Sequence, residues 1–167
     1  DVGLFYLKYN NRLGILSQNG APYKTNIGTS VSKGLESYVE LSVMRFFTQN
    51  SKRGTLTIFT SNALINAKYV AWNNPAIAND PTKSIKDKRV ENAPNYIHRL
   101  GLSYYIRTFT ASIQFNRVGD VFTDAANTEI PNATGTIGKL NGYQVMDVFF
   151  SYRFMSDYLI KLGINNL

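Results

Sequence analysis

Residues 109–116 read Phe109-Thr110-Ala111-Ser112-Ile113-Gln114-Phe115-Asn116, a strict alternation of apolar and uncharged polar side chains. Successive side chains of a β-strand point to opposite faces, so this period of two predicts a strand with one apolar and one polar face. The same period returns from Asn26, from Tyr143 and from Tyr158. The sequence therefore predicts an all-β, antiparallel fold, and no segment shows the periodicity of an amphipathic helix.

Seven strands are predicted, joined by connections of two kinds. The strands cover residues 3–14, 25–45, 54–70, 95–106, 108–119, 142–154 and 158–167. Tight turns are expected near residues 49–52, at 107 and at 155–157. The long connections are residues 71–94 and 120–141, with a shorter one near 15–24, and they contain the Asn, Asp, Pro and Gly that turns require.

The alternation of short and long connections favours an outer-membrane β-barrel over a soluble sheet. Such barrels have short turns on the periplasmic side and long loops on the outer side. Several predicted strands also reach the 9–11 residues that a tilted strand needs to cross a bilayer. A soluble sandwich or lipocalin-like barrel remains the alternative from patterning alone. An odd strand count and an unfinished last strand lead us to expect a segment of a larger barrel, with unpaired edge strands.

Composition excludes several other kinds of protein. The 18 Lys and Arg against 11 Asp and Glu give a net charge of +7, but the cations are scattered and no nucleic-acid-binding motif accompanies them. No run approaches the length of a transmembrane helix. The chain has no cysteine and one histidine, His98, so neither a metal site nor a Ser-His-Asp triad is predicted. We expect no enzymatic activity and no cofactor.

Four segments, taken in order, resemble the late barrel strands of TonB-dependent outer-membrane receptors. They are Asn26-Ile-Gly-Thr-Ser-Val-Ser-Lys-Gly34-Leu-Glu36, Asn66-Ala-Lys-Tyr69, Arg89-Val-Glu-Asn-Ala-Pro94 and Leu162-Gly-Ile-Asn-Asn-Leu167. A fifth segment is similar to one loop of ferric dicitrate receptors: Asp124-Ala-Ala-Asn-Thr128, followed by Gly135-Thr-Ile-Gly138 and Asn141-Gly-Tyr143.

The resemblance implies a plugged barrel of about 22 strands that imports a nutrient with energy passed through TonB. Residues 1–167 would then be a partial C-terminal barrel domain, holding the fifteenth to twenty-first strands. The N-terminal plug, through which TonB acts, and the final strand would lie outside this sequence. The expected location is the bacterial outer membrane, in contact with its lipid and lipopolysaccharide.

The ligand implied by this resemblance is an anionic ferric chelate similar to ferric citrate. Positive and polar groups in a partly desolvated vestibule attract such an anion. Gln114 and Asn116 are expected on the lumen face, followed by Arg117 at its lip, although strict alternation would direct Arg117 outward. The loop residues expected to contribute are Asp124, Asn127 and Thr128.

Other functions remain open at this point. A branch of the same superfamily imports glycans or peptides. A passive porin and a soluble β-barrel binding protein also fit parts of the pattern. We treat import of a ferric chelate as the leading hypothesis.

Overall fold

The computed structural model describes residues 1–18, 21–43, 54–72, 84–155 and 157–167. Nine β-strands are the regular elements of these residues: β1 Val2–Gln18, β2 Ala21–Ser42, β3 Thr55–Ala71, β4 Tyr96–Ile106, β5 Phe109–Val118, β6 Val121–Phe122, β7 Lys139–Leu140, β8 Tyr143–Phe154 and β9 Tyr158–Ile164. The seven longer strands form one antiparallel sheet in the order β1-β2-β3-β4-β5-β8-β9, and β6 pairs with β7. The all-β, antiparallel prediction is confirmed.

Two predicted connections differ from the structure. Residues 15–24 were expected to form a loop, but β1 and β2 pair as far as Gln18 and Ala21. That interpretation is wrong because backbone pairing continues where the apolar pattern fades. The predicted loop at 120–141 contains the short β6–β7 hairpin. Arg107 forms a tight turn with a left-handed φ of 51°, whereas the turns near 49–52 and at Ser156 lie outside the described residues.

The sheet is open. Within the described residues, β1 and β9 each have one strand neighbour, so the seven long strands do not close on themselves. This agrees with the expectation that these residues alone do not complete a barrel. No helix in the described part of the chain is long and apolar enough to cross a membrane.

Strand register separates the side chains into two chemically distinct faces. Residues directly opposite each other on paired strands share a face, so the pairs can be followed from β4 to β8. The row Phe109, Ala111, Ile113 and Phe115 shares its face with Leu100, Leu102, Met146, Val148 and Phe150. The row Thr110, Ser112, Gln114 and Asn116 lies on the opposite face, with Ser103, Arg99, Asp147 and Ser151. We call these the apolar face and the polar face, and their predicted separation is confirmed.

All acidic residues of the strands lie on the polar face. The strands contain three acids, Glu36, Glu40 and Asp147, and the register assigns all three to the polar face. The apolar face ends in aromatic rings near the tight turns, where Phe154 stacks against Tyr152 and Tyr158 with centroids 6.2 and 5.2 Å apart. Aromatic rings at this position form the girdle of a membrane barrel.

Three phenylalanines on the polar face lie over glycines of the neighbouring strand. The directly paired residues are Phe5 with Gly34, Phe59 with Gly101, and Phe149 with Gly163. Adding a Cβ at Gly101 would bring it within 2.0 Å of the Phe59 ring. Each glycine therefore gives a large ring room to lie flat against the sheet, which covers backbone that a glycine leaves bare.

Replacing Gly101 by alanine is expected to destabilise the protein by about 1–3 kcal/mol, because the new methyl group displaces the Phe59 ring. Urea unfolding of the complete protein in detergent micelles measures this loss. The matched control is Gly101→Ala in a Phe59→Ala background, in which the ring that meets the new methyl group is absent. An equal loss of stability in both backgrounds would contradict the proposed packing role of Gly101.

Candidate ligand-binding site

The loop segments 84–95 and 119–138 fold onto the polar face at the end of the sheet opposite the tight turns. Their side chains form a small buried core with the strands: Ile85, Val90 and Ala125 from the loops pack with Ile27, Ala67 and Tyr69 from β2 and β3. Tyr69 belongs to the polar face because it pairs directly with Ser30 in a row that includes Ala67 and Ser32. The loops therefore have a fixed position above the polar face.

Backbone hydrogen bonds attach segment 84–95 to β3. The amide of Val90 donates to Ala67 at 3.0 Å, and the amide of Tyr69 donates to Lys88 at 3.0 Å. The buried carboxylate of Glu91 accepts a hydrogen bond from the Tyr69 hydroxyl and lies 3.8 Å from the Arg12 guanidinium. The segment thus extends the sheet beyond its last regular pairs.

The predicted loop ligands Asp124, Asn127 and Thr128 use their polar atoms inside the loops. Asp124 is fully buried and accepts hydrogen bonds from the Thr128 hydroxyl at 2.9 Å and from the Gly138 amide at 3.3 Å. The Asn127 side chain accepts from the Arg89 amide at 2.7 Å and donates to the Arg89 carbonyl at 2.9 Å. These contacts shape the loops and leave Asp124 without an exposed oxygen.

A second set of contacts joins the two loops through charge. The Arg89 guanidinium donates to the Asp120 carboxylate at 2.8 Å, and the Lys139 ammonium lies 3.7 Å from the same carboxylate. Both cations also approach the Phe122 ring, at 5.3 and 5.7 Å from its centroid. The hydrogen bond from Arg89 lowers the pKa of Asp120 below its ordinary value. The positive charges of Arg89 and Lys139 therefore already have a partner in the Asp120 carboxylate.

Gln114 and Asn116 lie together on the polar face, whereas Arg117 does not join them. The Gln114 amide donates to the Asn116 side-chain oxygen at 3.2 Å. Arg117 pairs with His98 and Gln144 on the apolar face, where its guanidinium lies 5.6 Å from the Tyr96 ring centroid. The expected grouping of Arg117 with Gln114 and Asn116 is wrong, because β5 keeps its alternation through Val118 and contains no bulge there.

Arg99 occupies the place that the sequence interpretation gave to Arg117. It lies directly opposite Asn116 on the polar face, is exposed, and forms no ion pair with any described residue. The sequence alone indicates this orientation, because side chains alternate along β4. Leu100 and Leu102 lie on the apolar face, so Arg99 lies on the opposite one. Gln114, Asn116 and Arg99 together offer an amide donor, an amide oxygen and a free cation.

His98 has a structural environment rather than a metal-binding one. One ring nitrogen hydrogen-bonds the Asn62 side chain, and the Asn62 amide donates to Ser37 at 3.2 Å. No group of three or more potential metal ligands occurs among the described residues. Ser37, Asn62 and His98 therefore form a cross-strand row on the apolar face whose side chains hydrogen-bond one another.

Comparison with known proteins identifies the family. The model of the TonB dependent receptor-like β-barrel family matches residues 1–167. The chain belongs to this family. The unliganded crystal structure of the ferric citrate transporter FecA is similar to this chain, with a TM-score of 0.76 and 21% sequence identity. The match covers 99% of this chain and 23% of the transporter chain, so the chain spans less than a quarter of that protein's length.

Family membership indicates which face of the sheet contacts lipid and which borders the lumen. In an outer-membrane barrel the outward face is an apolar band and the interior is polar. The apolar face of the TonB-dependent receptor segment is therefore the lipid-facing one, and the polar face borders the lumen. The loop segments 84–95 and 119–138 fold over the lumen side. Arg99 and Asn116 thus face the interior and Arg117 faces outward.

Lowering the pH is expected to release the two loops from each other as Asp120 is protonated. Because its pKa in the folded protein is depressed, the Arg89–Asp120 contact stabilises the loops fully above the unfolded value of about 4 and is lost as the pH falls through the folded pKa. Asp120→Asn should lower amide exchange protection in residues 84–95 by about two- to fivefold at pH 6, since the pair is partly exposed.

Hydrogen exchange followed by mass spectrometry, corrected for intrinsic rates, measures this protection. Glu129→Gln is the control, because Glu129 is exposed and its carboxylate lies 3.8 Å from the Lys139 ammonium, without joining the Arg89–Asp120 contact. Protection that is unchanged in Asp120→Asn at pH 6 would show that Asp120 does not couple the loops.

Proposed function

We propose that this chain is part of a TonB-dependent outer-membrane receptor that actively imports an anionic ferric chelate similar to ferric citrate. Family membership supports the transport class, and the likeness to a ferric citrate transporter motivates the choice of cargo. The observation that carries the ligand proposal is the unpaired Arg99 beside Gln114 and Asn116 on the lumen face. The protein acts as a transporter and receptor without a chemical step of its own.

The electrostatics of the lumen face favour a specific anion contact at Arg99. By register the strand acids Glu36, Glu40 and Asp147 each lie two strands and two residues from Arg99. Glu40 accepts a hydrogen bond from the Tyr38 hydroxyl at 2.5 Å, and Asp147 Oδ1 accepts one from the Asn166 amide at 3.0 Å. Arg99 itself has no carboxylate partner among the described residues. A guanidinium binds carboxylates through parallel hydrogen bonds, which suits the free carboxylates of a citrate complex.

The loop residues have a supporting role in this proposal. Asp124, Asn127 and Thr128 hold the loop in a defined shape over the lumen, so that ligand meets a preformed vestibule rather than a chain that must become ordered. Preorganisation raises affinity because less conformational freedom is lost on binding. Arg117 is assigned no ligand contact, since it faces lipid.

Energy is proposed to come from the inner membrane through TonB, acting on a plug domain that lies outside these 167 residues. Outer-membrane lipid and lipopolysaccharide are the proposed neighbours of the apolar face, in a bacterial outer membrane. Glycan or peptide import is the second candidate within the family, and no described contact favours it. A passive pore would need neither TonB nor a plug.

Arg99→Ala is expected to weaken ferric citrate binding by about tenfold or more, because a hydrogen bond to a charged group contributes roughly 1.5–3 kcal/mol. Arg117→Ala is the matched control: it removes the same group from the opposite face of the next strand and should leave affinity unchanged. Isothermal titration of the complete purified receptor measures both. A larger loss from Arg117→Ala than from Arg99→Ala would exclude the proposed site.

Uptake of radioactive ferric citrate by cells tests the transport proposal separately. Uptake should stop when the proton-motive force is dissipated, and should fall in Arg99→Ala at limiting substrate. Uptake that continues without the proton-motive force would indicate a passive pore. Failure of the wild-type receptor to bind ferric citrate would remove this cargo while leaving the family assignment in place.

The folded loops are proposed to face the cell exterior. Because these 167 residues contain no cysteine, a cysteine introduced among them can report on orientation, with the receptor that lacks it as the background control. Thr134 is exposed in loop segment 119–138, and Arg107 is exposed at a tight turn at the opposite end of the sheet. Thr134→Cys should react with a membrane-impermeant maleimide on intact cells, and Arg107→Cys only after the outer membrane is opened. The reverse pattern would mean that the sheet is inverted.

A further inference from the structure

The lipid-facing side of β1, β2 and β3 has a group of three lysines at its loop end. Lys8 and Lys68 are the direct strand partners of Val31, one on each side, and Lys33 lies two residues from Val31 on the same face. Strands are about 4.8 Å apart and residues rise about 3.4 Å, so the three lysines surround Val31 within a patch roughly 10 Å wide. We call them the lysine triad.

The triad has no protein counter-charge in the described structure. All three lysines are exposed, and none forms an ion pair with a described residue. All strand acids lie on the polar face, and Arg89, which forms a backbone bridge to Lys68, already binds the Asp120 carboxylate of the loop. Three like charges this close repel one another unless an anion lies between them. The arrangement therefore points to an anion supplied from outside the chain.

An apolar surface lies directly beneath the triad. Leu4, Leu35 and Leu64 form one cross-strand row on the same face, and Leu64, on the interior strand β3, is 56% exposed. A shallow groove of about 580 Å³ lies at this level. Lys33 is the triad member that lines it, and the other lining residues are Leu4, Phe5, Tyr6, Gly34, Leu35, Leu64, Ile65, Asn66 and Asn95. One continuous surface thus combines an acyl-chain contact with a cluster of cations. A free phosphate ion would use only the cations.

We propose that this groove binds an outer-leaflet glycolipid, with a lipid-bound phosphate on the lysine triad and an acyl chain along the leucine row. The proposal rests on the outer-membrane placement given above and deepens it by assigning residues to the lipid contact. Lysine stems lie along apolar surface while their ammonium groups reach the headgroup level. Among the described residues, the tight-turn end of this face has aromatic rings and no lysine, so the two ends of the apolar face suit two different leaflets.

The test compares two double variants of the complete receptor that each remove two positive charges. Lys33→Gln/Lys68→Gln removes two members of the triad, and Arg99→Gln/Lys161→Gln removes two cations of the polar face. Each receptor is reconstituted in phosphatidylcholine vesicles containing either diphosphoryl lipid A or dephosphorylated lipid A. Lipid A retained after solubilisation is counted by native mass spectrometry.

The triad variant should bind diphosphoryl lipid A more weakly, by about fivefold for each charge removed, and the polar-face variant should match wild type. Wild type should prefer diphosphoryl over dephosphorylated lipid A, and added salt should reduce that preference. Equal retention in the two variants would overturn the proposal. So would full displacement of lipid A by inorganic phosphate, which would identify a site for the free ion.

This outcome is independent of the transport proposal. Ferric citrate binding is measured on the same preparations, and the triad variant should retain it because the triad lies on the opposite face from Arg99. Loss of lipid A binding with intact ferric citrate binding supports the lipid site. A receptor that binds lipid A but no ferric citrate would refute the cargo and leave the lipid site standing.

Discussion

Continuous backbone pairing across the sheet is the constraint on which the rest of this structure depends. In a bilayer no water satisfies an unpaired amide or carbonyl, so each strand must remain hydrogen-bonded along its length. Pairing fixes the register, and the register fixes the face of every side chain, because a slip of one residue would exchange the two faces. That is why Glu36, Glu40 and Asp147, on β2 and β8, all reach the same side of the sheet.

The loops depend on the same constraint where regular pairing ends. Segment 84–95 continues the hydrogen bonding of β3 through Val90 and Lys88, and buries Ile85 and Val90 against Tyr69. Burying the Asp124 carboxylate would be costly without partners. The hydroxyl of Thr128 and the amide of Gly138 supply them, so the loop closes around its own acid. Folded in this way, the loops present a fixed surface to the lumen. A flexible loop would instead lose conformational freedom when it became ordered around a ligand.

Local alternation was enough to predict the seven long strands and their two faces, because it depends only on neighbours in sequence. It failed where contacts are distant or local signals were overlooked. The dipeptide Asn19-Gly20 is a strong hairpin signal that would have replaced the expected loop at 15–24 with a turn. The burial of Asp124 depends on Gly138 and on the strands beneath it, which no local pattern encodes. Alternation within β4 and β5 directs Arg117 to the apolar face and Arg99 to the polar face, as the register shows.

Asp124, Asn127 and Thr128 make their side-chain contacts inside the loops. This affects what can be inferred from the resemblance of this segment to other receptors. Their side chains bind Gly138, Arg89 and one another, so a loop of this shape requires these residue types whatever the receptor carries. Similarity at this motif is therefore informative about loop architecture and uninformative about cargo. In the ligand site proposed above, the group that remains free to meet a ligand is Arg99 on the lumen face. A receptor for a different cargo could keep the whole loop motif and differ at the position of Arg99.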